Sequence, residues 1–400
     1  MDKRSQKPFL ERKKHKQDRP FALYNYCLLG ITAIPIMTVG LINWLVDPQD
    51  IFKTPNYWNI NHEKITKDRN DRLYKAVDVV RLQPDIIIIG SSRTKQGIDP
   101  ESAVLPSDEN VYNLSLNGAN FYEVRRYIEH AVYNQPELEQ IIIGLDFFMF
   151  NQDLDNQPTF KESRLEKEHI IVSDIVQNLF SLDTLVNSFQ IVEASIESPA
   201  TVTDDYGDNG FMPRLDLLEN GETIWRFHQS LRLYYSLHSN YQFSESYWND
   251  FKYIVELCKQ NNIDLKVFIS PAHATRWEAI NTTEKWAVFE QWKRQLVELV
   301  PLWDFSGYNS ITTEPIDKYM NNFMDESHYT PEIGELVLQR IYGYQTEEIP
   351  EDFGILLTPE NIEKHLEQIK SDRTLWIKNH PEEFKLVKEL YAEVNKNKNE

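Results

Sequence analysis

The 400-residue chain has little cysteine, no charge along one long stretch, and few bases over most of its length. Only two cysteines occur, Cys27 and Cys258, one in an apolar run and one in a helical pattern. They are too far apart in character and position to pair, so a disulfide framework is excluded. No Cys or His spacing matches a metal motif, and no metal or cofactor is expected. No internal repeat is present. Residues 1–21 hold eight Lys or Arg against three acids, net +5, and the rest holds 34 bases against 59 acids, net −25. A surface that acidic repels a phosphate backbone, so nucleic acid is not an expected partner.

No charge lies between Arg19 and Asp47. The uncharged run Phe21–Val46 exceeds the roughly 20 apolar residues that cross a bilayer core. Tyr24, Tyr26 and Trp44 suit interfacial positions, and the basic head suits the cytoplasmic side. No A-x-A-like site precedes Asp47, which favours an uncleaved anchor over a signal peptide. The expected order is a cytoplasmic basic tail at 1–21, a transmembrane anchor at 22–46 and a linker at 47–83. An α/β domain at 84–345 follows on the far side of the membrane, and then a helical tail at 346–400.

From Pro84 the pattern alternates. Apolar runs of strand length begin at Asp85, Asn110, Glu139, Asp264 and Pro301. Between them lie amphipathic helical periods such as "FYEVRRYIEHAVYNQ" and "EKWAVFEQWKRQLVELV". Continuous apolar strands between such helices indicate a parallel sheet covered on both faces. The expectation is a three-layer α/β/α sandwich on five parallel strands. A helical insertion at 150–255 forms either a lid and substrate wall or a covering layer. Residues beyond Tyr344 read as a solvated appendage or a partner-binding surface.

In open parallel sheets, ligands bind outside the carboxyl ends of the strands. The residues expected there are Ser91, Ser92 and Arg93, then Asn117 and Gly118, Asp146, His273, and Asp304 with Ser306. Asp325 and His328 follow, three apart, before a helix opened by Thr330 and Pro331. This set supplies a hydroxyl nucleophile, a base and an acid that orients the base. Ser92 alone reads better as a turn residue ending a strand. Gly118 serves either a positive φ or an oxyanion-facing N–H, and the two are compatible. Arg93 reads as a clamp for a carboxylate or sugar, or as a solvated arginine, the second being favoured. Asp146 reads as a polar substrate contact or a cap, and His273 as a substrate contact facing the cleft. Phe147, Phe148, Phe150, Trp225, Tyr234 and Tyr235 read as core or lid packing rather than a sugar platform.

The ordered blocks "IIIIGSSR", "YNLSLNGAN" and "MDESHYTPEIG" resemble those of the SGNH (GDSL-like) hydrolase superfamily. The resemblance spans about residues 84–345 without the insertion, and it implies a flavodoxin-like sheet. It implies Ser92 as nucleophile, His328 as base, Asp325 as its partner, and the N–H groups of Ser92 and Gly118 as oxyanion donors. Asp325 with His328 in the family order tips the reading of Ser92 from turn residue to nucleophile. Two blocks depart from the family pattern. Ser91 stands where the family has Asp, and "IIIGLDFFMF" offers Asp146 where the family has Asn. Both departures resemble a membrane-anchored bacterial subset that includes alginate acetylation proteins and the D-alanyl transfer protein of teichoic acids. The implied activity is that of a serine esterase or O-acyltransferase on an envelope polysaccharide, beside a membrane-bound O-acyltransferase. A catalytically degenerate glycan-binding or scaffold partner of that acyltransferase is the alternative.

Overall fold

The computed structural model describes residues 11–57, 59–62, 64–197, 209–344 and 349–399. Part of the basic tail, at 1–10, and part of the expected insertion, at 198–208, lie outside them. The chain divides into two compact units. One holds residues 1–69 and 170–202, and the other holds residues 70–169 and 203–400.

In the first unit, α1 (Glu11–Val46) contains the run Phe21–Val46, with a mean hydropathy of 1.8. It is long and apolar enough to cross a membrane. Residues 47–69 do not form the expected linker, because they fold into a knob that caps α1. The last carbonyls of a helix lack intrahelical partners. Here the Lys64 ammonium donates to Val46 O at 2.8 Å and Asp47 O at 3.0 Å, and Asn61 Nδ2 donates to Leu45 O at 3.2 Å. Asp47 turns the chain with φ +47°, and its carboxylate accepts the N–H groups of Ile51 and Phe52. Burial lowers the Lys64 pKa, and the nearby carboxylates of Asp47 and Asp50 oppose that shift.

The second unit is the α/β unit. Its elements up to the third strand are α2 (Asp71–Leu82), β1 (Ile86–Ile89), α3 (Ser92–Gly97), β2 (Val111–Asn113), α4 (Phe121–Asn134) and β3 (Gln140–Leu145). Two helices of the first unit, α5 (Val172–Phe180) and α6 (Leu182–Glu197), interrupt it. The chain continues with α7 (Asp216–Glu219), α8 (Thr223–His238), α9 (Glu245–Gln260), β4 (Asp264–Ile269), α10 (Ala274–Thr282), α11 (Trp286–Leu299) and β5 (Leu302–Asp304). It ends with α12 (Pro331–Ile341), β6 (Ile355–Leu357), α13 (Ile362–Asn379) and α14 (Pro381–Asn399).

The strands form one sheet in the order β2-β1-β3-β4-β5-β6. The first five are parallel, as expected, and β6 adds an antiparallel sixth, pairing Trp303 with Leu356. All four isoleucines of β1 are buried because helices cover both faces. Ile87 and Ile89 pack in a core with residues of α4, α9 and α11. Ile86 and Ile88 pack on the other side with residues of α12. The order 2-1-3-4-5 is that of flavodoxin-like sheets, whose ligand crevice opens where connections diverge, between β1 and β3.

The expected helical insertion at 150–255 splits by role. Helices α5 and α6 join the unit of α1, whereas α9 is the crossover helix before β4. The C-terminal residues are not a solvated appendage, because Leu366, Ile369, Trp376, Val387 and Leu390 are buried in the core. Trp376 packs against Tyr308 at 5.4 Å between ring centroids. Trp376→Ala should therefore lower the unfolding free energy by about 3–5 kcal/mol in urea titration. A loose tail would give a change within about 0.5 kcal/mol.

Candidate active site

Strand β1 ends at Gly90, and Ser91 turns the chain into α3. The Ser91 hydroxyl accepts the N–H of Arg93, forming the N-cap of this short helix. Ser92 is the first helical residue, so its N–H lies among those that a helix leaves without internal partners. Its hydroxyl is half-buried, at the switch point of the sheet.

The turn before α12 brings in the other two residues. Met324 N donates to His328 O at 2.9 Å, closing the turn. Asp325 Oδ1 accepts the N–H groups of Ser327 at 2.7 Å and His328 at 2.9 Å. Its carboxylate also meets His328 Nδ1, with Oδ2 at 2.8 Å and Oδ1 at 3.0 Å. On the far side of the ring, His328 Nε2 lies 2.8 Å from Ser92 Oγ. A carboxylate is an acceptor only, so Nδ1 carries the proton and Nε2 is left to accept from the serine hydroxyl. The His328 and Asp325 side chains are 21% and 13% exposed, so the relay can be reached from solvent. Burial pushes the Asp325 carboxyl up, but His328 and the two backbone donors outweigh it and hold its pKa below 3.8.

Two glycines let the serine and histidine elements meet. A Cβ on Gly334 would collide with Gly97 O, and one on Gly97 would collide with the Tyr329 ring. Helices α3 and α12, the elements that begin at Ser92 and just after His328, therefore touch backbone to backbone.

A buried polar clamp binds the same pieces from below. Arg93 Nη1 donates to Asp146 Oδ1 at 2.8 Å, and Arg93 Nε donates to Ser327 Oγ at 2.9 Å. The Ser91 hydroxyl donates to the other oxygen of Asp146. Thus Asp146, just beyond β3, ties the serine turn to the residue preceding His328. Arg93 and Asp146 are buried, which corrects two expectations. Arg93 is neither solvated nor a substrate clamp, and Asp146 is not a substrate contact. Neither residue by itself predicts this partnership. The signal was their opposite charge at the ends of strands that neighbour each other in a 2-1-3 order.

Gly118 has φ +58° and is half-buried. The segment before it stays beside β1, since Leu116 N donates to Gly90 O at 3.0 Å. Its position is pinned by Gln157 Nε2 donating to Gly118 O and by Arg72 donating to Asn117 O. Asn117 N donates to Asp71, which Arg72 also pairs. The backbone of Asn117 thus serves to fix the glycine loop.

His273 does not face the cleft. It is buried as the N-cap of α10, with Nε2 against Glu314 O at 2.7 Å and Nδ1 near Thr275. Burial pushes its imidazole down to about 4, so it is a neutral structural residue. Asp304 and Ser306 are also internal, because the buried Lys293 ammonium donates to both at 2.6 Å and His365 reaches Asp304. A cavity of about 640 Å³ opens beside them under α13, and no residue of the serine–histidine relay lines it. Among the candidate aromatics, Phe147, Phe150, Tyr234 and Tyr235 are core, Phe148 is half-buried against Arg93, and Trp225 is exposed.

Two outcomes test this geometry. Asp325 has a pKa lower in the folded state than in the unfolded one. Its stabilisation is therefore complete above the ordinary value of 3.8 and is lost as pH falls through the folded value. Asp325→Asn should lower the urea midpoint at pH 7, and the gap to wild type should shrink below pH 4. Asp146→Ala should cost about 3–5 kcal/mol, because it leaves the Arg93 guanidinium buried and unpaired. A loss under about 1 kcal/mol would mean that the clamp is not an ion pair in solution.

No family model, no curated protein and no solved structure matches this chain.

Proposed function

We propose that the α/β unit is a serine acyl esterase or O-acyltransferase of the SGNH type, acting on an envelope polysaccharide. The observation that carries this reading is the continuous Ser92–His328–Asp325 relay at the switch point of a mostly parallel sheet. Ser92 Oγ attacks the acyl carbonyl, and His328 Nε2 takes the hydroxyl proton. Asp325 holds the ring and stabilises its charged form. The tetrahedral oxyanion is met by the N–H groups of Ser92 and Gly118. The intermediate then collapses. The bond to the sugar oxygen breaks, and His328 returns the proton to that oxygen. Acyl-Ser92 remains, and water or an acceptor hydroxyl, deprotonated by His328, takes the acyl group and restores the serine.

The two departures from the family blocks are consistent with each other. Ser91 replaces an acid and Asp146 replaces an amide, and the two bond to each other. The Asp146 charge is matched by Arg93, so it does not stand uncompensated beneath a developing oxyanion. What the site lacks is a side-chain oxyanion donor after β3, a loss that typically costs about 10²–10³ in rate. That missing donor favours the second reading, a degenerate glycan-binding or scaffold partner of a membrane-bound O-acyltransferase. The apolar length of α1 and the net positive head support a single-pass anchor in the bacterial cytoplasmic membrane. The head lies inside and the α/β unit outside.

A fluorophosphonate probe should label the full-length protein and fail to label Ser92→Ala. Hydrolysis of an aryl acetate should fall about 10²–10⁴-fold in His328→Ala. Labelling that persists in Ser92→Ala, or its absence from the wild type, favours the scaffold reading.

A further inference from the structure

Helices α5 and α6 pack beside α1 with their polarity reversed. The residues they bury are mostly small or polar: Asp174 and Asn178 on α5, and Thr184, Ser188 and Ser195 on α6. Their large apolar residues are exposed instead, namely Val172, Val176, Phe180, Leu182, Val186 and Phe189, each at least 42% exposed. Beside these lie the exposed polar Ser173, Gln177, Asp183, Glu193 and Glu197. In water an amphipathic helix turns its apolar stripe inward. Helices in lipid do the opposite, packing on small and hydrogen-bonding residues and presenting apolar ones outward. Neither α5 nor α6 carries a Lys or Arg.

The contacts with α1 set the depth. Asn43 Nδ2 donates to Leu179 O at 2.9 Å and Ser181 O at 3.2 Å, closing the turn between the two helices. The Ser188 hydroxyl donates to Asn43 Oδ1 at 3.0 Å. These bonds satisfy turn carbonyls that lipid could not. At Gly40 the Phe180 ring lies where a Cβ would approach within 2.7 Å. Gly40 lies six residues before the end of the span, about 9 Å at 1.5 Å per residue. Higher on α6, Gln190 accepts from Arg69 of the polar knob. The turn therefore points along α1 into the span, and the far part of α6 points out of it. Amphipathic elements at a membrane surface bury to a similar depth, about 5–10 Å.

We propose that α5 and α6 form an interfacial wedge whose tip, around Phe180 and Leu182, inserts at the headgroup–acyl boundary of one leaflet beside α1. The occupant of the exposed apolar face is the bilayer itself. The wedge rests on the reading of α1 as a membrane span. The exposed carboxylates of Glu193 and Glu197, on the far part of α6, then lie at headgroup level or above, and the exposed carboxylate of Asp183 beside Leu182 limits the tip to the headgroup–acyl boundary.

The test uses the full chain with Cys27→Ser and Cys258→Ala, in nanodiscs of phosphatidylcholine and phosphatidylglycerol. A nitroxide is attached singly through Leu182→Cys, Val186→Cys or Ile196→Cys. Met37→Cys in α1 and Tyr319→Cys in the α/β unit serve as references. Power saturation compares collision with oxygen, which enters lipid, and with a nickel chelate, which does not. The wedge predicts an oxygen-to-nickel ratio well above that of 319 at position 182, falling through 186 to 196. Ratios at 182 and 186 equal to that of 319, with 37 oxygen-rich, overturn the wedge and leave the span. A nickel-rich 37 defeats the span reading, and the wedge with it. Protection of 182 and 186 from both reagents means that protein covers the face, which also overturns it.

Discussion

The buried ion pair between Arg93 and Asp146 is the constraint on which the site depends. Two desolvated charges gain little net stability over an apolar pair, yet removing either one is costly because the other is stranded. That asymmetry makes the pair a good locator. Asp146 is held by β3, and Arg93 can meet it only if α3 leaves β1 in one direction. The same guanidinium takes the Ser327 hydroxyl, which fixes the turn carrying His328. The Ser92–His328 distance of 2.8 Å is thus set by buried groups outside the relay. The glycine contact between α3 and α12 acts in the same direction, by removing the side chains that would push the two helices apart.

Much of this was legible in the sequence. Four consecutive isoleucines announce a strand covered on both faces, and β1 is that strand. Thr330 and Pro331 announce a helix start, and α12 begins there. The three-residue spacing of Asp325 and His328 implied a carboxylate bonded to an imidazole, as observed. The failures share a cause, since local pattern does not say which way a side chain turns or what distant partner it meets. His273 does follow a strand, but it turns under to cap α10. Arg93 looks solvated until Asp146 is placed beside it. The sixth strand is three residues in a charged region, too short to show a period, and it exists because β5 offers an open edge. Residues 47–69 read as a linker because their buried groups are polar and satisfy one another and the end of α1.

Helices α5 and α6 show the same limit in another form. Their periodicity identifies one apolar face on each, but it does not say whether that face turns toward protein or away from it. The solvent decides, and the hydrogen bonds from Asn43 and Ser188 identify the polar face as the packed one. The chain thus solves two packing problems with opposite rules, apolar inward in the α/β unit and polar inward beside the apolar helix.

The central claim is that Ser92 forms a covalent acyl intermediate. Its most direct test is acid quenching of the full-length protein during turnover of an acetyl ester, followed by fragmentation mass spectrometry of the peptide bearing Ser91 and Ser92. The account predicts one acetyl group on Ser92, accumulating further when water is partly replaced by a poor acceptor, and none in His328→Ala. An unmodified peptide at every time point, or acetyl on Ser91 instead, would contradict it.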